Sequence, residues 1–364
     1  MTHHEPGVLP DTVRTARPPG AVGPVVAAEP LRHNAKNDAT AGIWRIRGTR
    51  GSAVLKVARP PAGPTGGYWP TSDEPTHWNH WRREALAYRS GLAGSAYAAG
   101  GIAAPDLLAS ADRSDGAVEL WLADVTGTDG FEWPVPDLAG FAYRLGVGQA
   151  RWAGRTPEYG WLSRRWLGGY LTDGPSRSVD VRDADWDHPL LAAWPRAVRE
   201  ELRRLWAHRD RALAAAEAAE PTLCHLDVWP ANLLAADTGP VLLDWSFVGT
   251  GALGEDLANL VLDSFTDGLL DSALLPDLAT HATDRYLDGL RDGGWTGRPD
   301  AVRAAVARCG AAKYAWLAPA YVGRAVRGDL GSSAYRTQTS PAAVVAALTP
   351  VVTLLADWSR TALA

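Results

Sequence analysis

Lysine is nearly absent from this chain. Of its 36 basic residues only Lys36, Lys56 and Lys313 are lysines, which leaves 33 arginines. Asparagine is also scarce, confined to Asn34, Asn37, Asn79, Asn232 and Asn259. Such a skew is typical of a GC-rich genome. A lysine that persists in it marks a place that needs a compact point charge rather than a planar fork. The only cysteines, Cys224 and Cys309, lie in apolar or helical surroundings. That argues against a disulfide-built fold and for buried reduced thiols. No apolar run approaches the roughly 18 residues of a membrane span, so no membrane partner is expected. A net charge of −5 gives no electrostatic ground for a nucleic-acid partner. The first 30 residues hold no cleavable signal, and residues 1–26 read as a flexible tail. The expectation is a cytoplasmic protein, long enough at 364 residues for one large two-lobed fold.

Tryptophan, by contrast, is abundant, with 17 residues. Most are expected to pack in the core and under loops. The run WAGRTPEYGWLSRRW, Trp152 to Trp166, reads either as packing or as an aromatic and basic binding surface.

The order of patterns suggests two lobes. GIWRIR (42–47) and SAVLKVA (52–58) are β-rich and are joined by a turn signal at Gly48–Gly51. A Pro/Gly-rich surface insertion follows at 59–76. The 3/4 spacing of Trp78, Trp81, Ala85 and Tyr88 predicts a helix ending near Gly91. VELWLADV (118–125) predicts a further strand. Thereafter helical patterns dominate, at 138–149, 194–219, most of 252–328 and 341–362, with a polar loop over 172–189. Two strand-like runs, PTLCHL (221–226) and PVLLDW (240–245), interrupt them. The expected fold is α+β: a small antiparallel sheet with one helix over residues 27–125, a hinge near 122–126, and a helical lobe over 126–364.

Between those two runs stands HLDVWPANLL, His225 to Leu234. If a hairpin brings PVLLDW beside the PTLCH strand, Asp227, Asn232 and Asp244 converge. Asn232 and Asp244 are hard oxygen ligands suited to Mg²⁺ beside phosphates. Asp227 is left to orient a hydroxyl and accept its proton, and Pro230 stiffens the loop. This is the spacing of a kinase catalytic loop, H-x-D-x-x-x-x-N, followed by a metal-binding aspartate. Lys56, in VLKV on the second strand, sits where kinases hold the α- and β-phosphates, and Glu84 on the following helix can fix it by an ion pair. Glu74 and Glu119 compete for that role.

VLKV (54–57), REALAY (83–88), LWLADV (120–125), CHLDVWPANLL (224–234) and LLDWSFVGTGALGEDLANL (242–260) together resemble the aminoglycoside phosphotransferase and choline kinase-like family, which has the bilobal protein-kinase fold. The resemblance implies an enzyme that uses ATP, with GTP not excluded, and Mg²⁺ to phosphorylate a hydroxyl. It implies His225, Asp227, Lys56 and Glu84 as the catalytic set. Adenine would be bound by backbone groups around Ala123 and Val125, with Asp256 as a brace of the catalytic loop.

Departures bear on the ligands. RHNAKNDATA, before the first strand, lacks the usual glycines, so Asn34, Lys36, Asn37 and Thr40 are candidates to hold nucleotide, or else form a polar hairpin tip. Trp229 replaces a smaller or imidazole side chain and would wall the acceptor site or pack beneath it. Asp256 follows Asp244 by only twelve positions, too few for a peptide platform. A small metabolite or antibiotic is the expected acceptor. Asp263, Asp267 and Asp271 could attract a cationic one, or form a solvated helix face. Lys313, beside Tyr314 and Trp316, could meet an anionic group. One alternative is a Ser/Thr kinase of a lanthipeptide-type precursor peptide with a partner lyase, for which region 151–170, loop 59–76 and Trp229 would form the groove. A second is a non-catalytic pseudokinase.

Overall fold

The computed structural model describes residues 9–61, 63, 69–174, 185–266, 268–328, 330 and 340–364. Five strands form the N-terminal sheet: β1 (Val25–Pro30), β2 (Thr40–Gly48), β3 (Ser52–Ala58), β4 (Leu107–Asp112) and β5 (Val118–Ala123). Their order is β1-β2-β3-β5-β4, with every neighbour antiparallel. Lys56 therefore lies on the central strand, opposite Ile43 on one side and Leu120 on the other.

Both faces of this sheet are apolar. Ile46, Leu55, Val57 and Trp121 face one way, while Ala58, Leu120 and Leu122 join the main core on the other. A sheet that is apolar on both faces needs cover on both. The outer cover is the chain start, where helix α1 (Asp11–Arg14) and the turn after it bury Val13 and Val22 to 1% exposure. The flexible tail expected over residues 1–26 is thus corrected: the described part, from residue 9, is packed structure.

The helix expected from Trp78 starts later, as α2 (Arg83–Arg89). Arg83 explains the delay. Its guanidinium is 0% exposed and donates to the carbonyls of Pro75 (2.9 Å), His77, Trp78 (3.0 Å), Trp161 (3.0 Å) and Ser246 (3.4 Å). Those carbonyls hold residues 75–78 in an irregular wrap around the cation. Burial without a carboxylate partner pulls the Arg83 pKa down to about 9. The same side chain joins the small lobe to residues 161 and 246 of the large one. Arg83→Met is expected to cost about 3 kcal/mol of stability by leaving these carbonyls unsatisfied, measured by urea unfolding.

The C-terminal lobe is mostly helical. After α3 (Leu92–Ser95) come α4 (Val135–Ala150), α5 (Trp166–Asp173), α6 (Arg196–Ala207), α7 (Arg209–Glu217), α8 (Glu255–Thr266), α9 (Leu275–Asp292), α10 (Pro299–Tyr314), α11 (Leu317–Arg327), α12 (Pro341–Ala347) and α13 (Thr349–Ala362). Among the described residues no single helix is long and apolar enough to cross a membrane. Both cysteines are buried and free.

Short strands carry the loop of interest. They are β6 (Thr128–Asp129), β7 (Pro221–Cys224), β8 (Leu233–Ala236), β9 (Gly239–Leu242) and β10 (Gly249–Ala252). The hairpin expected between residues 221–226 and 240–245 does not form. Instead β9 pairs with β8 across a tight turn in which Gly239 has φ 124°, and β7 pairs with β10. The two pairings still carry the chain past residue 227 and back through residue 244.

The Trp152–Trp166 run packs. Trp152 donates to Ala96 O (2.9 Å), and Trp166 is buried and stacked on Tyr170. Trp69, at the end of the 59–76 insertion, stacks on Phe247 with ring centroids 6.0 Å apart. The remainder of that insertion (62 and 64–68) and residues 175–184 of the expected polar loop lie outside the described residues.

Candidate active site

Two charge clusters face each other between the lobes. In the first, Lys56 Nζ lies 2.5 Å from Glu84 Oε2 and 2.9 Å from Asp244 Oδ1. Glu84 therefore takes the place that Glu74 and Glu119 competed for. Glu119 instead accepts from Arg17 N and Trp121 Nε1 on the far face of the sheet. Burial works against the Lys56 charge, but Asp244 and Glu84 outweigh it and hold the ammonium above its ordinary range. Burial pushes the Glu84 carboxyl up to about 7, with Asp244 adding to it and Lys56 opposing. Burial would also raise Asp244, but the Lys56 ammonium keeps it below the usual carboxylate range.

The second cluster is the loop after β7. Asn232 Nδ2 donates to Asp227 O (2.9 Å) and Asp227 Oδ2 (2.8 Å). This closes residues 227–232 into a ring and fixes the half-buried carboxylate. Burial, reinforced by Asp244, pushes the Asp227 carboxyl up to about 7. Because Asn232 spends its nitrogen on Asp227, its Oδ1 is the atom left for a cation.

Backbone strain concentrates here. Among the described residues three non-glycines have positive φ: Leu226 (70°), Asp244 (57°) and Arg165 (50°). A left-handed Leu costs about 1–2 kcal/mol and persists only if its surroundings enforce it. The enforcer is Asp256, at the start of α8 and 0% exposed. Its carboxylate accepts from His225 N (2.8 Å) and Leu226 N (2.7 Å), and also from Gln149 Nε2 (2.9 Å) and Tyr97 OH (3.3 Å). Tyr286 OH in turn donates to Gln149 Oε1 (2.6 Å).

His225 does not reach the cleft. It is 0% exposed and edge-on to Trp245, and burial lowers it to about 4. It is a neutral packing group beneath the loop, not one that could touch a ligand. Ala123 N already donates to Asp106 O (2.9 Å), so the groups of the hinge that could meet a purine are the Ala123 carbonyl and the Val125 N–H.

The nucleotide-loop candidates are only partly available. Asn34 Oδ1 accepts from Lys36 N, and Asn37 Oδ1 accepts from Ala39 N and Asn79 Nδ2 (3.1 Å each). Asn37 thus ties this loop to residue 79. Lys36 is exposed, and Thr40 opens β2.

Trp229 is half-buried and edge-on to Phe131, with centroids 5.8 Å apart. Asp263 and Lys313 are not free charges. They pair with each other (3.0 Å), and Lys313 also donates to Asn259 Oδ1 (2.8 Å). Asp271 is exposed and caps Ala273 N, and Asp267 lies outside the described residues.

Sequence reasoning missed Arg83, Gln149, Tyr97 and Asn259. Gln149 alone carried a signal, as the polar residue among Leu138, Phe141, Ala142 and Leu145 on the buried face of α4.

Among the described residues no group of three or more His, Cys, Asp or Glu could hold a metal ion. A divalent cation here would rest on Asn232 and Asp244 and complete its shell from phosphate and water, which is how Mg²⁺ usually binds. The donor set fits such an ion.

A family model described as a phosphotransferase enzyme family matches residues 95–292. Among solved structures, a microcompartment-associated aminopropanol kinase superposes with a TM-score of 0.51 at 13% identity, over 94% of this chain and 92% of that one. An amicoumacin kinase in complex with AMP-PNP and Ca²⁺ gives 0.49 at 12% identity, over 93% and 90%. An aminoglycoside phosphotransferase from Streptomyces rimosus gives 0.43 at 19% identity, over 83% and 93%. No curated protein matches by sequence. At these identities the likeness to the aminopropanol kinase is one of fold.

Proposed function

The chain belongs to the phosphotransferase enzyme family, and on that premise we propose that it moves the γ-phosphate of ATP, with Mg²⁺, to a hydroxyl of a small molecule. One observation carries this reading. Lys56 joins Glu84 to Asp244, while Asn232 aims Asp227 from the facing loop. The matched segment begins at residue 95, so Lys56 and Glu84 are assigned on geometry alone.

In this account Asp227 orients the acceptor hydroxyl and takes its proton as the oxygen bonds to phosphorus and the bond to the departing ADP oxygen breaks. Lys56 offsets phosphate charge from the sheet side. Mg²⁺, held by Asn232 and Asp244, would supply further charge neutralisation. A small acceptor is favoured over a peptide because Asp244 leads through β10 directly into α8, with no room for a peptide platform. No feature of the site favours the lyase-coupled peptide reading.

Lys56→Met leaves Glu84 and Asp244 facing each other without their cation. It is expected to slow ADP formation by about 10²-fold or more. The reading itself is tested by screening transfer of labelled γ-phosphate to hydroxylated antibiotics, amino alcohols and Ser/Thr peptides. Label should appear on a small molecule. Label on peptides alone would replace the small-molecule reading, and no transfer with no ATP turnover would reject the kinase.

A further inference from the structure

The chain's third lysine bears on which acceptors fit. Successive turns of α8 place residues 256, 259 and 263 on one face. Asp256 of that face holds the loop that carries Asp227. One and two turns on, Asn259 and Asp263 hold Lys313 of α10. Lys313 is 5% exposed, and its Nζ lies 5.3 Å from the ring centres of Trp166 and Tyr314 and 6.0 Å from that of Tyr170. Tyr314 OH also donates to Asp263 Oδ1. Asp263 therefore has its charge cancelled where it stands.

Asp256, one turn before Asn259 on the same face of α8, holds the loop that carries Asp227, which sets the cluster next along α8 from the transfer site, and the charges of Lys313 and Asp263 are felt at the Asp227 carboxyl in opposite senses. Asp244 acts there too, and it is itself paired with Lys56. Two further buried donors, Asn259 Nδ2 (0% exposed) and Trp166 Nε1 (2% exposed), have no partner among the described residues. This corner thus offers N–H donors and a cancelled acid. An ammonium group entering it would lose its water and find no free acid to replace it, because Asp263 is already spent on Lys313, which is strongly unfavourable.

We propose that the Asn259–Asp263–Lys313 cluster is an acceptor subsite that excludes ammonium groups and admits an uncharged, oxygen-rich acceptor, with Lys313 setting that specificity. The inference rests on the transferase reading, which places the acceptor hydroxyl at Asp227.

The test is calorimetric titration with the polycation kanamycin, which needs no turnover. Wild type should bind it weakly. Lys313→Met exposes the Asp263 charge and should tighten binding by about tenfold or more, and adding Asp263→Asn should abolish that gain. Circular dichroism checks the fold of each variant. Should Lys313→Met not fold, Asp263→Asn carries the test. It leaves the ammonium uncancelled and should bind inorganic phosphate about tenfold more tightly than wild type. The proposal is overturned if wild type binds kanamycin as tightly as Lys313→Met does, if the double variant keeps the gain, or if Asp263→Asn leaves phosphate binding unchanged. ATP turnover by wild type, measured alongside, separates failure of the subsite from failure of the transferase reading.

Discussion

Asp227→Asn should lower phosphate transfer by about 10³-fold while leaving fold and nucleotide binding in place. The substitution is isosteric, and an amide oxygen at position 227 can still accept from Asn232 Nδ2, so the ring of residues 227–232 stays closed. What disappears is the proton acceptor. The wild-type pH profile gives a second signature. Burial and the neighbouring Asp244 raise the Asp227 carboxyl to about 7, so the group is protonated below that pH and ionised above it. Transfer by the wild type should fall as pH drops through about 7, and the residual rate of Asp227→Asn should fall less steeply there, because only Glu84, also raised to about 7, still titrates in that window. Steady-state kinetics over pH 5–9, with an ATP-analogue titration of each form, checks both points.

Asp256→Ala should be the most damaging substitution to stability. It strips four donors of one acceptor group: the N–H groups of His225 and Leu226, the Gln149 amide and the Tyr97 hydroxyl. All are buried, and a buried network broken at its charged centre costs about 3–5 kcal/mol. The loss also releases the left-handed Leu226, whose relaxation would swing Asp227 out of line. Urea unfolding should show the full stability loss. Turnover of the fraction still folded should drop about 10²-fold, because an angstrom of misplacement at the reacting group suffices. Asp256→Asn keeps one acceptor oxygen and should fall between the two.

That Asp227 meets Asn232 and Lys56 meets Asp244 was legible in the sequence because fixed spacings force such residues together. The HLDVWPANLL loop places Asp227 and Asn232 five residues apart, and a lysine retained in an arginine-rich chain marks Lys56. Features that depend on which segments pair were not legible. The runs at 221–224, 233–236, 239–242 and 249–252 are each four residues long, and alternation over four residues does not choose between partners. Arg83 read as part of an amphipathic helix because nothing in a sequence distinguishes a solvated arginine from one wrapped by carbonyls. Asp263 and Lys313 are fifty residues apart, so each read as a separate charge on a separate helix. His225 matched its motif position, yet its burial against Trp245 gives it a packing role. The start of the chain read as a tail because it holds no long apolar run and no cleavable signal. The signal against that lay elsewhere, in strands β3 and β5, which are apolar on both faces and so require a second cover.

The central claim is that Lys56, Asn232 and Asp244 together bind a nucleotide triphosphate with its metal. Calorimetric titration of AMP-PNP into the wild type and into Asp244→Asn, each with and without Mg²⁺, tests it most directly. The account predicts binding to the wild type that strengthens about tenfold or more with Mg²⁺, and an Asp244→Asn variant in which that metal dependence is lost. Absence of binding to the folded wild type in the presence of Mg²⁺, or equal metal dependence in both proteins, would contradict it.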